Sequence, residues 1–200
     1  MDPTAVNRYL QSYLSQCLET LRNLPLEGVA RAIALLEEAR ENGRRVFICG
    51  NGGSAATASH FANDLGKGAS LHRARRFKVL ALTDNVSWMT ALANDLDFSQ
   101  VFVEQLRNFA EPGDLLLAFS GSGQSPNVLR AVEWANAHGL ITIGFSGGRP
   151  NNRLAALSQL SLQVHSEHMG RIEDAHFLMQ HLIGYYLMEQ LHDTPETASP

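Results

Sequence analysis

The sequence predicts an α/β fold: a three-layer sandwich whose five-stranded parallel sheet is flanked by helices. Three observations carry this. Short apolar runs alternate with amphipathic segments through the middle of the chain. The run Leu115–Phe119, LLLAF, is apolar throughout, as a strand covered on both faces must be. Two of the runs end in turns of small residues that lead into helices, at 50–53 and 120–125.

The elements follow in order. Val6, Leu10, Tyr13, Leu14, Cys17, Leu18 and Leu21 recur every three to four residues, so the chain opens with an amphipathic helix. It stands outside the strand–helix alternation, and its apolar face is expected to cover a second subunit. Pro25, well suited to a first helical turn, opens a second helix through about Glu41, with Val29, Ile33 and Leu36 inward. Arg45–Cys49 is the first strand, Gly50-Asn51-Gly52-Gly53 a turn, and residues 54–65 a helix. Residues 66–76, GKGASLHRARR, read as a solvated loop, because their basic residues share no helical or strand spacing. Phe77–Leu82 is the second strand, and Ser87 caps a helix containing Trp88 and Met89, both read as core. Phe98–Phe109 is predicted as one helix, Leu115–Phe119 as the third strand. Ser125 is an N-cap candidate with Pro126 at the first position of a helix to about Ala137. Leu140–Phe145 and Leu160–Val164 are the remaining strands, and a last helix runs from Arg171 to Leu191. The expected organisation is one domain over residues 1–193, with a helical extension at its start and a flexible tail at 194–200.

Composition narrows the function. Two hundred residues with a net charge of −4 suit one domain without a basic, nucleic-acid-binding surface. Cys17 and Cys49 lie in apolar patterns and read as buried thiols. No apolar run reaches membrane-spanning length and no signal-peptide pattern opens the chain, so a cytoplasmic protein is expected.

The two small-residue turns carry the chemistry. A strand, a glycine turn and a helix start present outward N–H groups and the positive end of a helix dipole, an anion site. Ser120, Ser122 and Ser125 add three hydroxyls to the second such site. His60 and Asp64, four residues apart, share a helix face just past the first turn. A nicotinamide fingerprint fails because Ala55 stands where the third glycine is needed. A phosphate-binding G-x-x-x-x-G-K-[ST] run and a G-x-S-x-G nucleophile elbow are both lacking. His176, His165 and His168 read as structural or exposed, and Asp84 as a loop cap or a sugar contact in equal measure.

With these turns in view, the chain resembles the sugar isomerase (SIS) domain family, most closely its phosphoheptose isomerase branch. The matching stretches are CGNGGSAATASHF at 49–61, AND at 93–95, FSGSGQSPNV at 119–128 and RIEDAHFLMQH at 171–181. The resemblance implies a homotetramer with active sites between subunits. It also implies conversion of sedoheptulose 7-phosphate to D-glycero-D-manno-heptose 7-phosphate, an early step toward surface heptose in lipopolysaccharide. It places Asn51, Gly52, Gly53 and Ser54 near the substrate. Ser120, Gly121, Ser122 and Ser125 would hold the phosphate, and Asp95 the sugar hydroxyls. It assigns a zinc site to His60, Asp64, Glu173 and His181, with Asp64 and His181 also acting as acid and base. Competing readings of the same motifs are an isomerase or epimerase for another phosphosugar, and a non-catalytic relative that binds a protein such as a replication initiator.

Two positions depart from the family pattern. Asn63-Asp64 replaces Glu-Glu, shortening the carboxylate arm by one methylene, and Glu173 replaces Gln. Glu173 and His181 are also eight residues apart, about 12 Å along a helix and roughly 80° around it. Asp174 shares a face with His181 better and is the local alternative to Glu173 as a ligand.

Overall fold

The computed structural model describes residues 2–190; the expected tail at 194–200 lies outside them. Five parallel strands form one sheet: β1 Arg45–Cys49, β2 Lys78–Ala81, β3 Leu115–Ser120, β4 Ile141–Gly147 and β5 Leu160–Val164. Their order is β2-β1-β3-β4-β5. Alternation along each strand feeds two cores. Val46 and Ile48 of β1 join Leu115, Leu117 and Phe119 of β3 on one face. Phe47, Cys49, Leu116 and Ala118 face the other way.

The first face is covered by α2 Leu26–Glu41, α3 Gly53–Asn63 and α8 Met169–Glu189. The second is covered by α4 Val86–Asp95, α5 Val103–Phe109, α6 Pro126–Ala137 and α7 Arg153–Leu157. This is the five-stranded, helix-flanked parallel sheet the sequence predicts. Burial pushes the Cys49 thiol up to about 12, so it stays an inert core group.

The first helix, α1 Pro3–Arg22, starts at Asp2, whose side chain accepts from Thr4 N–H at 2.9 Å. It buries none of its residues fully. Tyr13 and Cys17 lean on α8 through Asp174, while Tyr9, Leu10, Leu14 and Leu18 stay exposed. Cys17 is therefore half-buried, not buried like Cys49.

Several local expectations change. Pro25 is the residue before α2, outside its first turn. The cap of α4 is Asn85, whose side chain accepts from Trp88 N–H at 3.0 Å, and not Ser87. Residues 98–109 split into a short turn of tight helix, Phe98–Gln100, and α5, with a break between. The last helix begins two residues early, at Met169.

Residues 66–76 are largely the exposed loop expected, but their first residues are helical and Ala69 and Ser70 are buried. A wide helical turn, Asp64–Gly68, extends α3, and a Cβ at Gly68 would collide with Met188 of α8. Ser70 is fully buried, its hydroxyl donating to Leu65 C=O at 2.7 Å and accepting from Phe77 N–H at 2.9 Å. Arg73 donates to Leu187 C=O and Arg75 to Glu41 C=O, both at 2.6 Å. The glycines are small because helices pack here, and the arginines tie the segment to α2 and α8.

Candidate active site

Strand order places the site. From β1 the chain moves outward to β2, and from β3 it moves the other way to β4 and β5. The loops leaving β1 and β3 therefore part at their carboxyl ends and open a crevice, where ligands bind in such sheets. Both small-residue turns lie at this switch point.

In the first turn, Gly52 has φ +54°, a left-handed conformation glycine adopts without strain. It lets Gly52 C=O accept from Ala55 and Ala56 N–H at the start of α3. Ser54 is buried there and Asn51 partly so.

In the second turn three hydroxyls converge. Ser120 Oγ lies 3.1 Å from Ser125 Oγ and 3.4 Å from Ser122 Oγ. Gly123, at φ +66°, folds the loop back so that its N–H donates to Ser120 C=O at 2.9 Å. Ser125 occupies the N-cap of α6 as expected, but its side chain makes no capping bond. It turns toward Ser120 instead. Asn127, a residue the sequence reading passed over, occupies the gap between the turns: its Nδ2 donates to Asn51 Oδ1 at 2.8 Å.

Farther along α3, His60 Nε2 stands 3.4 Å from Asp64 Oδ2 and 3.2 Å from His181 Nε2. One ligand atom from each of the three lies within 4.8 Å of the others. The i, i+4 spacing brings His60 over Asp64, and α8 delivers His181 beside them. The His60 side chain is 41% exposed and that of Asp64 only 9%. Asp64 Oδ2 is buried without a hydrogen-bond donor among the described residues. Phe177 packs edge-on against both imidazoles, at 4.9 and 4.6 Å between centroids.

These residues fit a zinc ion. Tetrahedral zinc with N and O ligands at about 2.0–2.1 Å sets neighbouring donors roughly 3.3 Å apart, matching the 3.2 and 3.4 Å found here. The Asp64 oxygen that lacks a donor among the described residues is an acceptor that a cation would satisfy.

Glu173 is not brought into this cluster. A Cβ at Gly53 would lie 2.8 Å from Glu173 Oε1, so the carboxylate rests on the first turn, at the start of α3. The reason is helical. α8 runs unbroken through both residues, so the eight-residue separation from His181 is kept. Asp174, the alternative, accepts from Tyr13 Oη at 3.2 Å and faces α1. Asp95 ends α4, exposed, accepting from Asn94 Nδ2 at 2.8 Å.

Other histidines stay apart from the cluster. His176 is buried against Phe119 and Phe145, and desolvation lowers it to about 4. His168 packs edge-on against Tyr13 at 5.4 Å. His165 lines a surface groove of about 460 Å³ between α1 and the loops after β4 and β5. Asp84, at the end of the turn after β2, accepts from Ser59 and Thr83 hydroxyls.

Comparison with known proteins identifies the family. The SIS domain model matches residues 8–147. A phosphoheptose isomerase from Desulfovibrio desulfuricans is 41% identical over 153 residues, 74% of this chain and 72% of that protein. The chain belongs to the SIS domain family, in its phosphoheptose isomerase branch. Solved phosphoheptose isomerases agree in fold. That from Francisella tularensis has a TM-score of 0.83 at 31% identity, covering 93% of this chain and 97% of its own. That from Neisseria gonorrhoeae has a TM-score of 0.84 at 28% identity, covering 92% and 99%. The family match ends at residue 147, so α8, which carries His181 and Glu173, enters the comparison through these longer alignments.

Proposed function

We propose that the chain is a phosphosugar isomerase that interconverts sedoheptulose 7-phosphate and D-glycero-D-manno-heptose 7-phosphate through an enediol, within the cytoplasm, on the route to lipopolysaccharide heptose. One observation carries this reading. A three-hydroxyl anion turn sits at the switch point beside the first turn, and the helix leaving that first turn carries His60, seven residues beyond Gly53, to Asp64 and to His181 of α8. Seven residues span about 10 Å of helix. The cluster therefore stands about one extended carbon chain along α3 from the first turn, as suits a sugar phosphate whose carbonyl is remote from its phosphate.

The phosphate is held by Ser120, Ser122 and Ser125, with Gly121 keeping the turn narrow and the α6 N-terminus adding positive potential. Asn51, Gly52, Gly53 and Ser54 border the sugar, and Asp95 meets its hydroxyls. Glu173, resting on Gly53, faces the middle of the chain of hydroxyls. At the far end, His181 takes the proton from the carbon beside the carbonyl through the ring nitrogen that a metal would leave free, and Asp64 serves the carbonyl oxygen. Proton removal next to a carbonyl needs stabilisation of the developing enediolate. His60, Asp64 and His181 would hold zinc, which when bound supplies Lewis-acid polarisation of that oxygen.

The assembly is a homotetramer with sites between subunits. Its support is the exposed row Tyr9, Leu10, Leu14 and Leu18 on α1, an apolar face without cover in the single chain. Residues 1–193 act as one domain.

The test is turnover. Purified protein is incubated with sedoheptulose 7-phosphate, and with hexose and pentose phosphates, before and after zinc loading. Heptose 7-phosphate formation lost in His181→Ala supports the reading. Turnover of a hexose or pentose phosphate alone, or of none, overturns it.

A further inference from the structure

We infer that Asn127 is a positioning residue that keeps the Ser125 hydroxyl available to the substrate phosphate and fixes the spacing of the two turns. The inference rests on the reading of the serine turn as the phosphate site. An N-cap serine ordinarily spends its oxygen on the N–H two or three residues on. At α6 the third of these is Val128 N–H. It donates instead to Asn127 Oδ1, at 3.0 Å. Ser125 is thereby released from capping, and its hydroxyl joins Ser120 at 3.1 Å.

The same Asn127 amide makes a two-way pair with the other turn. Asn51 Nδ2 donates to Asn127 Oδ1 at 2.9 Å, and Asn127 Nδ2 donates to Asn51 Oδ1 at 2.8 Å. Asn127 is only 2% exposed. A buried amide pair of this kind is directional and has no water to replace a lost partner. It sets the distance between the turn that holds the phosphate and the turn that borders the sugar. An alanine at 127 leaves Val128 N–H without its acceptor, and the nearest replacement is the Ser125 hydroxyl. It also leaves the Asn51 side chain unpaired.

The experiment measures inorganic phosphate Kd by calorimetry, and KM and kcat for the sugar phosphate, in five proteins. These are the wild type, Ser125→Ala, Asn127→Ala, the double variant, and Val128→Ala as a packing control. Asn127→Ala is expected to weaken phosphate about tenfold and raise KM to match, with kcat within threefold. In the Ser125→Ala background the same change is expected to cost less than threefold, because its route to the phosphate is gone. Val128→Ala is expected to lower Tm while leaving phosphate Kd within twofold. Asn127→Ala that lowers Tm but leaves phosphate Kd within twofold overturns the inference, as do fully additive losses in the double variant. Wild type that binds no phosphate, or Ser125→Ala that binds it unchanged, instead overturns the underlying reading of the turn. Should Asn127→Ala not fold, Asn127→Ser takes its place, too short to reach Asn51, and the same Kd decides.

Discussion

His60 Nε2 and His181 Nε2 lie 3.2 Å apart, one carried by α3 and the other by α8. Two imidazole nitrogens at that distance share either one proton or one cation. The buried Asp64 oxygen beside them, without a hydrogen-bond donor among the described residues, favours the cation. Removing any of the three should therefore empty the site. His60→Ala and His181→Ala are expected to carry less than a tenth of the wild-type zinc by elemental analysis, and to lose at least about 100-fold in kcat. Chelator treatment of the wild type should have the same effect, reversed by added zinc.

Asp64 is placed by the close approach of α8. A Cβ at Gly184 would stand 3.3 Å from Asp64 Cβ, tighter than ordinary contact. Gly184→Ala should push the carboxylate away from the imidazoles by a few tenths of an ångström. Alanine also gains about 1 kcal/mol of helix propensity, which offsets the crowding. The expected outcome is a Tm near that of the wild type with kcat down about tenfold, since catalysis falls steeply with misplacement. A lowered Tm with unchanged kcat would show that the strain is taken up elsewhere.

The serine turn should separate binding from turnover. Ser120 is buried at the end of β3, and its hydroxyl is the one shared by both partners. Ser120→Ala removes one hydrogen bond to a charged phosphate, about 1.5–3 kcal/mol. KM should rise roughly 10- to 100-fold, with kcat little changed, because the contact is the same in ground and transition states. Steady-state kinetics on the sugar phosphate checks this.

His176 predicts an acid-sensitive fold. Burial against the stacked Phe119 and Phe145 rings lowers its imidazole from 6.5 to about 4. The unfolded chain binds this proton as pH falls through 6.5, while the folded chain binds it only near 4. Stability from the neutral ring is thus complete above pH 6.5, declines below it, and is lost at about pH 4. By pH 5 the loss is about 2 kcal/mol. Urea midpoints at pH 8 and pH 5 should differ less in His176→Leu than in the wild type.

Much of this was legible in the chain itself. Strand positions, the two turns, and the partnership of His60 with Asp64 follow from local patterns: apolar runs, small-residue turns and an i, i+4 spacing. Where packing decided, local reading failed. Gly66 and Gly68 look like loop residues in sequence, yet their smallness serves close contacts with Val79 and Met188. Asn127 reads as an ordinary residue of a first helical turn. Its partner stands 76 positions away, and no local signal announces it.

By itself the sequence determined the α/β class, the two anion turns and the His60–Asp64 pair, because each is a property of neighbours along the chain, whereas His181 and Glu173 came only with the family resemblance. Tertiary structure decided which of the candidates meet. It joined His181 to His60 and Asp64, and it sent Glu173 to Gly53 and Asp174 to Tyr13. The reason is the rigidity of α8. A continuous helix holds its side chains at set heights and angles, so its packing against α3 and α1 determines which of them reach one site.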